Sequence, residues 1–390
     1  MSAANFRGAC FLWDWNNPPW RRTAGAATIW GTQKIEFQKD EMEPVTHFLT
    51  GACLGRTGFN RKTAYATLAM TLAAEAADLD ILWGFRGPVA ELQHHRGWTH
   101  TFVGAPVVAL ATVAFVWAIH RLRKKEPVIA PRWFLLWVFA LIAALSHILL
   151  DYTVNYGVRP FFPFSPHWYA WSIVFIVDPW ILLALFLALV VPGILGLADR
   201  EIGARKKLFR GRGWAIAGLS FMVLWWGLRN AEHGRALVLV KTGSYTREPL
   251  IRAAAEPHMV DPFRWHVIME TQDYFQTAEV RTIGDQVETD NYADVIYKPP
   301  VTLAVAAAKQ SYLGRVYLDW SQWPVTEDQG AVAVPGADIL PRAGYTVEFQ
   351  DLRFGYGSMG ARRDPTLGGW VYVGPGGEIE GMYMQGHEQH

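Results

Sequence analysis

Residues 133–151 have the sequence WFLLWVFALIAALSHILLD, an almost unbroken apolar run that ends in a histidine and an aspartate. About 20 apolar residues are needed to cross a bilayer as a helix, so this run predicts one membrane-spanning helix. His147 and Asp151 are four residues apart and project from the same face of that helix, one turn apart. An imidazole and a carboxylate at this spacing can bind one metal ion, and the alternative is a buried His–Asp ion pair.

The composition predicts a membrane part and a water-exposed part. The 390 residues are 51% hydrophobic and 18% charged, and they include 19 tryptophans. A net charge of +1 argues against nucleic-acid binding, because no broad basic surface is available for a phosphate backbone. Cys10 and Cys53 are the only cysteines, so a disulfide framework and a thiolate zinc site are both excluded. Any metal must therefore be held by histidines and carboxylates.

The fold class predicted for the first part of the chain is a polytopic α-helical membrane domain with about five transmembrane helices. The predicted spans are Thr63–Trp83, Phe102–His120, Trp133–Leu150, Trp171–Ala198 and Trp214–Arg229. Val45–Leu54 is too short to span, and we expect it to form a short re-entrant or interfacial helix packed inside the bundle.

The basic residues set the orientation of these helices. They are concentrated in two loops, 121–132 and 200–212, which we predict to be cytoplasmic by the positive-inside rule. The alternate loops and the C-terminal region then lie on the opposite side of the membrane. The ionisable residues of the predicted helix ends all fall on that second side: Glu75, Asp78, Asp80, His95, His100, His147, Asp151 and Asp178. Ionisable groups at membrane depth are costly, so this segregation predicts a functional site.

Several of these residues have a second interpretation. His95 and His100 are favoured over His94 as metal ligands, since the apolar run after His100 fixes it at a helix start. Arg96 is suited either to a phosphate group or to a salt bridge with Asp80. Asp178 precedes a proline, so capping of the next helix and metal binding are equal alternatives.

Three carboxylates that precede the His95–His100 segment, and His47 from the short first helix, complete the predicted site. Glu75 and Asp78 share a helical face, and their mutual repulsion favours a bound cation. Asp80 is either part of the site or a solvated helix end. His47 reaches the site if the short helix dips into the bundle.

The remainder of the chain predicts a soluble α+β domain that is rich in β-strands. Strands are indicated at Trp265–Thr271, at Tyr345–Phe354, and in a hairpin formed by Trp370–Val373 and Ile379–Met384 around a Gly-Pro-Gly-Gly turn. Thr302–Tyr312 is rich in alanine and predicts one helix.

The ordered motifs Met42-Glu-Pro-Val-Thr-His47, Glu75 with Asp78-Leu-Asp80, His95-Arg-Gly-Trp-Thr-His100, His147 with Asp151, Tyr156-Gly157 and Asp178-Pro179 resemble the YdjM-like family of inner-membrane metal-dependent hydrolases. The resemblance implies a bacterial inner-membrane protein with His, Asp and Glu as metal ligands. More distantly, the ligand set resembles that of the zinc-dependent phospholipase C group. The predicted division is an extension at 1–41, a membrane domain at 42–235 and a non-cytoplasmic domain at 236–390. Because the family pattern begins at Met42, we expect Met42 as an alternative start.

These observations predict a membrane-bound hydrolase that uses a divalent metal ion to activate water. Zn²⁺ is the favoured ion. The predicted ligands are His47, Asp78, His95, His100, His147, Asp151 and Asp178, and the predicted catalytic residues are Glu75, Asp80 and Arg96. A lipid-derived or membrane-proximal ester or phosphoester is the expected substrate, since the site lies at headgroup level, and the lipid bilayer is the expected partner. The alternatives are a cation-binding transporter and a membrane-anchored interaction protein without catalysis. The sequence defines no oligomeric state.

Overall fold

The computed structural model describes residues 44–202, 209–290, 294–333, 344–354 and 367–389, and all of them belong to one compact unit. The predicted extension at 1–41 and the alternative start at Met42 lie outside the described residues, as does part of the second basic loop.

The first part of the described chain is helical. Its helices are α1 Pro44–Arg56, α2 Ala66–Glu75, α3 Pro88–His94, α4 Ala105–Leu122, α5 Trp133–Thr153, α6 Pro179–Glu201 and α7 Arg212–Thr242. Three 3₁₀ helices lie between them, at Phe59–Arg61, Ala76–Arg86 and Trp98–His100.

Among the described residues, three helices are long and apolar enough to cross a membrane: Ala105–Leu122, Trp133–Thr153 and Pro179–Asp199. The prediction of five spans is not supported. In the predicted first span, α2 ends at Glu75 and a 3₁₀ helix follows, because the carboxylates of this segment are costly in hydrocarbon. In the predicted fifth span, the apolar run of α7 stops at Arg229, and polar residues occupy much of the following turns.

The short helix α1 packs inside the bundle, as predicted for Val45–Leu54. Gly51 makes this close packing feasible, since a Cβ at this position would lie 2.7 Å from the Met70 carbonyl oxygen of α2. Small residues at helix contacts allow this approach of two backbones. The packing buries His47, which is 7% exposed.

The described residues of the second part of the chain form two antiparallel sheets. The first consists of β1 Arg252–Pro257, β2 Arg264–Glu270, β3 Tyr274–Arg281, β4 Gln286–Glu288 and β5 Val295–Tyr297, and the second of β6 Pro324–Asp328, β7 Tyr345–Asp351, β8 Gly369–Val373, β9 Ile379–Met384 and β10 His387–Gln389. β8 and β9 form the predicted hairpin, with Val371 opposite Met382. Gly377 takes a φ of +89° in its turn, a backbone conformation that favours glycine.

The predicted helix Thr302–Tyr312 is wrong in extent, because the structure has two helices here. α8 (Leu303–Gln310) ends at Ser311, and α9 (Tyr312–Trp320) starts directly after it. Ser311 adopts extended backbone angles, and its hydroxyl accepts a hydrogen bond from the Gly314 backbone N–H, which caps α9. Both helices pack on the second sheet, in a core that also contains Tyr156 and Trp168 from the loop after α5.

A buried polar network joins this loop to the sheets. Arg353 pairs with Asp351 at 2.8 Å, and its Nη1 donates a hydrogen bond to the Asn155 carbonyl oxygen at 2.6 Å. Glu256 is 1% exposed, and its carboxyl group interacts electrostatically with Arg353 and Asp351. Because Asn155 lies four residues after Asp151, the network connects the β-rich part to the end of α5.

Stability is expected to depend on pH through Glu256. Burial raises the pKa of Glu256 to about 8, although Arg353 acts in the opposite direction. The protonated carboxyl is therefore favoured in the folded state, and its contribution to stability is lost as the pH rises from about 4.5, the unfolded value, to about 8. Thermal unfolding of wild type and Glu256→Gln between pH 4 and 9 should show a flatter profile for the variant. Parallel profiles over this window would contradict the assignment.

Candidate metal centre

Four segments of the helical part bring histidines and carboxylates together. α1 supplies His47, the 3₁₀ helix after α2 supplies Asp78, and the 3₁₀ helix Trp98–His100 before α4 supplies His100. The last turns of α5 supply His147 and Asp151, which are 0% and 2% exposed. The i, i+4 spacing predicted from the sequence thus places both side chains in one cluster.

The donor atoms of this cluster lie close to one another. His147 Nε2 is 3.2 Å from Asp151 Oδ2 and 3.4 Å from Asp78 Oδ1. His100 Nε2 is 3.3 Å from the same Asp151 oxygen and 3.2 Å from the same Asp78 oxygen. His47 Nε2 lies 3.5 Å from Asp151 Oδ1. Five side chains therefore direct nitrogen or oxygen atoms toward a common centre.

Three overlapping groups in this cluster could hold a metal ion, among the described residues. They are His47 with Asp78 and His147, His100 with His147 and Asp151, and Asp78 with Asp80 and His100. Within each group the candidate ligand atoms lie within 4.8 Å of one another.

His147 is oriented by the backbone of α2. Its Nδ1 lies 2.7 Å from the Ala74 carbonyl oxygen, so the ring proton belongs on Nδ1 and the lone pair on Nε2. His147 Nε2 and Asp151 Oδ2 are both buried and make no hydrogen bond. Buried polar atoms are rarely left without a partner. A cation between these two atoms would satisfy both, so the donor set fits a metal ion.

Asp80 holds the histidines of the loop in place. Its Oδ2 lies 3.1 Å from His100 Nδ1 and accepts hydrogen bonds from the Arg96 backbone N–H and from Thr99 Oγ1. Its Oδ1 lies 2.8 Å from His95 Nδ1. Burial alone would raise the pKa of Asp80, but the hydrogen bonds from His100 and His95 hold it below its usual value. Asp80 is thus an ionised carboxylate that orients His100.

Arg96 neutralises the most buried carboxylate of the cluster. Its guanidinium Nη2 lies 2.8 Å from Asp151 Oδ1, while Nη1 donates to the carbonyl oxygens of Asp151 and Gly157. The guanidinium also faces the Tyr156 ring at 4.8 Å. Arg96 adopts a φ of +53°, which is uncommon for a residue with a side chain and directs the chain sharply between His95 and Gly97. Of the two alternatives weighed for Arg96, the salt bridge is present, but with Asp151 rather than Asp80.

The structure does not bring all predicted ligands into these groups. His95 contacts Asp80 and lies outside the three groups. Asp178 caps α6, because its Oδ1 accepts hydrogen bonds from the Trp180 and Ile181 backbone N–H groups, and its Oδ2 accepts one from Trp225 Nε1. Glu75 also belongs to none of the groups.

Two contributors to the centre were not singled out from the sequence. Thr99 donates to Asp80 at 2.8 Å, and the Ala74 carbonyl oxygen accepts from His147. Thr99 lies inside the His-Arg-Gly-Trp-Thr-His motif, so its hydroxyl was a signal that could have been used. A backbone carbonyl leaves no signal in the sequence.

The centre adjoins a small cavity and lies near exposed apolar side chains. A cavity of about 40 Å³ adjoins His47, Arg96 and Asp151, which is room for ordered water. The Asp78 side chain, at 17%, is the most exposed ligand candidate. Large apolar side chains are exposed on the segments around it: Leu79, Leu82, Phe85, Trp98 and Phe102.

Comparison with known proteins places this region in a family of membrane proteins. The YdjM inner membrane protein family matches residues 42–236, half of the chain. The uncharacterized protein YfhP of Bacillus subtilis (strain 168) is 26% identical over 171 residues, which cover 40% of this chain and 50% of that protein. The chain therefore spans about half the length of this relative. No solved structure matches the chain.

Proposed function

We propose, from the premise that the chain belongs to the YdjM inner membrane protein family, that it is a membrane-bound metal-dependent hydrolase. The observation that carries this proposal is the buried convergence of His47, Asp78, His100, His147 and Asp151, in which two facing ligand atoms make no hydrogen bond. Membrane helices rarely retain such a set of ionisable side chains without a function.

Zinc is the ion that these donors favour. Imidazole and carboxylate ligands without thiolates are typical of catalytic zinc sites, which keep one position open for water. When bound, such an ion lowers the pKa of its water to about 7 and polarises a carbonyl or phosphoryl oxygen.

The protein's own groups have separate roles in this proposal. Arg96 holds Asp151 by a buried ion pair, and Asp80 holds His100. Because both oxygens of Asp80 already accept hydrogen bonds, its contacts favour a positioning role over that of general base. Glu75 follows Ala74, the partner of His147, and is the candidate general base.

The position of the centre supports a membrane-proximal substrate. α4 starts and α5 ends beside the cluster, so it lies at the end of two candidate spans. The exposed apolar side chains around Asp78, such as Phe85 at 90% and Leu79 at 63%, suit contact with lipid. An ester or phosphoester of a lipid is therefore the proposed substrate class. The site would face the non-cytoplasmic side, opposite the basic loops. The β-rich domain packs on the loop after α5 and would lie on that same side, with α7, a helix of 31 residues, returning the chain to it.

Turnover in a lipid environment tests the proposed activity. Full-length protein in liposomes would be assayed against a panel of phospholipid classes and neutral lipid esters, with zinc and after chelation. We expect hydrolysis of at least one class that is lost with the metal and lost in Glu75→Gln, which should keep its zinc. His120→Ala is a matched control, since His120 contacts Tyr65 and lies outside the metal groups. Zinc-loaded protein that hydrolyses no class would contradict the proposal.

Asp80→Asn is expected to weaken zinc binding without abolishing it. Partners that orient metal-bound histidines typically contribute about 10- to 100-fold in metal affinity. Titration against a chromophoric chelator would measure the change, with the exposed Asp285→Asn as control. An unchanged affinity would show that Asp80 does not position His100.

A further inference from the structure

A second cavity lies on the other side of Asp80. It has a volume of about 430 Å³ and lies between residues 92–99, from the end of α3 to the 3₁₀ helix before α4, and helix α9. Asp80 and Thr99, which both contact His100, form part of its wall. Its volume is in the range of small-ligand sites. The cavity is thus separated from the metal centre by one layer of side chains.

Arg159 supplies an incompletely satisfied cation to this cavity. It lines the cavity and is 8% exposed. Its Nη1 lies 3.3 Å from Asp319 Oδ2, and its Nη2 donates to the Gln93 carbonyl oxygen at 2.5 Å. The guanidinium lies against the rings of Trp168 and Phe162. Its Nε is buried and makes no hydrogen bond. A buried donor without a partner is costly, and a small shift of this side chain would let a ligand oxygen in the cavity accept from it.

The cavity lining carries two guanidinium groups, those of Arg159 and Arg315, and two carboxylates, those of Asp80 and Asp319. Arg315 adds a second guanidinium from α9, and its Nη1 donates to the Gln310 carbonyl oxygen. The Asp319 side chain is 50% exposed and forms an ion pair with Arg159. Asp80 already accepts from several donors. Both carboxylates already accept hydrogen bonds from the protein, and the guanidinium of Arg315 has further N–H donors that suit the oxygens of a phosphate group.

An aromatic lip borders the same cavity. Trp83 stacks on His94 with ring centroids 4.0 Å apart, and Trp98 meets Phe162 edge-on at 5.2 Å. Trp98 is 58% exposed, and other apolar side chains of the neighbouring segments are exposed too. A ligand with a phosphate at the arginines and an apolar portion at this lip would match both surfaces.

We propose that the cavity between Arg159 and Arg315 binds the phosphate group of a phosphate-bearing ligand. The assignment of this ligand as the substrate's headgroup rests on the proposed hydrolase, whereas phosphate binding itself does not. The same chemistry would accept a phospholipid headgroup or a soluble phosphate monoester. The α9 helix of the β-rich domain would then contribute to substrate selection next to the metal centre.

Binding measurements on full-length protein in maltoside detergent test this proposal. The probes are inorganic phosphate and dioctanoyl phosphatidic acid, titrated by calorimetry into wild type, Arg159→Gln and Arg315→Gln. Loss of one charged hydrogen-bond donor is expected to weaken binding of either probe about 10-fold. Arg281→Gln, an exposed arginine on β3, is the matched control and should bind as wild type does. Arg315 is exposed, so its variant decides the test if Arg159→Gln fails to fold.

The metal variant separates this inference from the proposed function. Phosphate binding that survives in His147→Ala but weakens in the two arginine variants would support the cavity site. If phosphatidic acid binds at least as tightly as inorganic phosphate, the ligand is a phospholipid headgroup. If inorganic phosphate binds more tightly, the ligand is a soluble phosphate monoester. Binding that depends on His147 but on neither arginine would place phosphate at the metal and overturn the inference while leaving the hydrolase intact. Absence of phosphate binding to zinc-loaded wild type would also overturn it.

Discussion

His147→Ala is expected to reduce zinc affinity by more than the roughly 10- to 100-fold typical of residues that only orient a ligand. The imidazole Nε2 faces both Asp78 and Asp151, so its loss removes a ligand from two of the three groups. The variant also leaves the Ala74 carbonyl oxygen without its partner. Competition with a chromophoric chelator would measure the affinity of the purified full-length protein.

Two companion variants make this result specific. His100→Ala should behave like His147→Ala, since His100 Nε2 faces the same two carboxylates. His120→Ala should retain wild-type affinity, because His120 contacts Tyr65 in another part of the bundle. Equal affinities in all three variants would contradict the assignment of the ligands.

Arg353→Met is expected to destabilise the folded protein by about 3–5 kcal/mol, the cost of removing one partner of a buried ion pair. Arg353 and Asp351 are 1% and 2% exposed, and the substitution leaves the Asp351 carboxylate buried without its cation. It also removes the hydrogen bond to the Asn155 carbonyl oxygen, which links the second sheet to the loop after α5. Denaturant unfolding followed by tryptophan fluorescence would measure the change.

The exposed Arg281→Met is the control for this effect and should change stability by about 0.5 kcal/mol or less. Protease sensitivity of the β-rich part should rise in Arg353→Met alone. A variant as stable and as resistant as wild type would show that the buried pair does not hold the two parts together.

The sequence predicted the elements whose signal is local. The i, i+4 spacing of His147 and Asp151 was sufficient because one helix fixes both side chains. The hairpin at Trp370–Met384 was predicted because strand alternation and a glycine-rich turn coincide. His47 was expected near the cluster only if the short helix dipped into the bundle, and in the structure its Nε2 lies 3.5 Å from Asp151 Oδ1.

Features that depend on contacts between distant segments were not predictable. The choice of Asp151 rather than Asp80 as the partner of Arg96 depends on how the loop packs against α5. The position of His95 behind Asp80 likewise follows from the sharp turn at Arg96. Hydropathy over Thr63–Trp83 suggested a span, although three carboxylates in its second half end the helix at Glu75.

Metal content is the measurement that tests the central claim most directly. Full-length protein would be purified in detergent without chelator, dialysed against trace zinc and analysed by plasma mass spectrometry. The proposed function predicts zinc in a stoichiometric amount relative to protein, held by the cluster around His147. Wild-type protein that is free of metal and takes up none from the dialysis buffer would contradict the proposed metal centre.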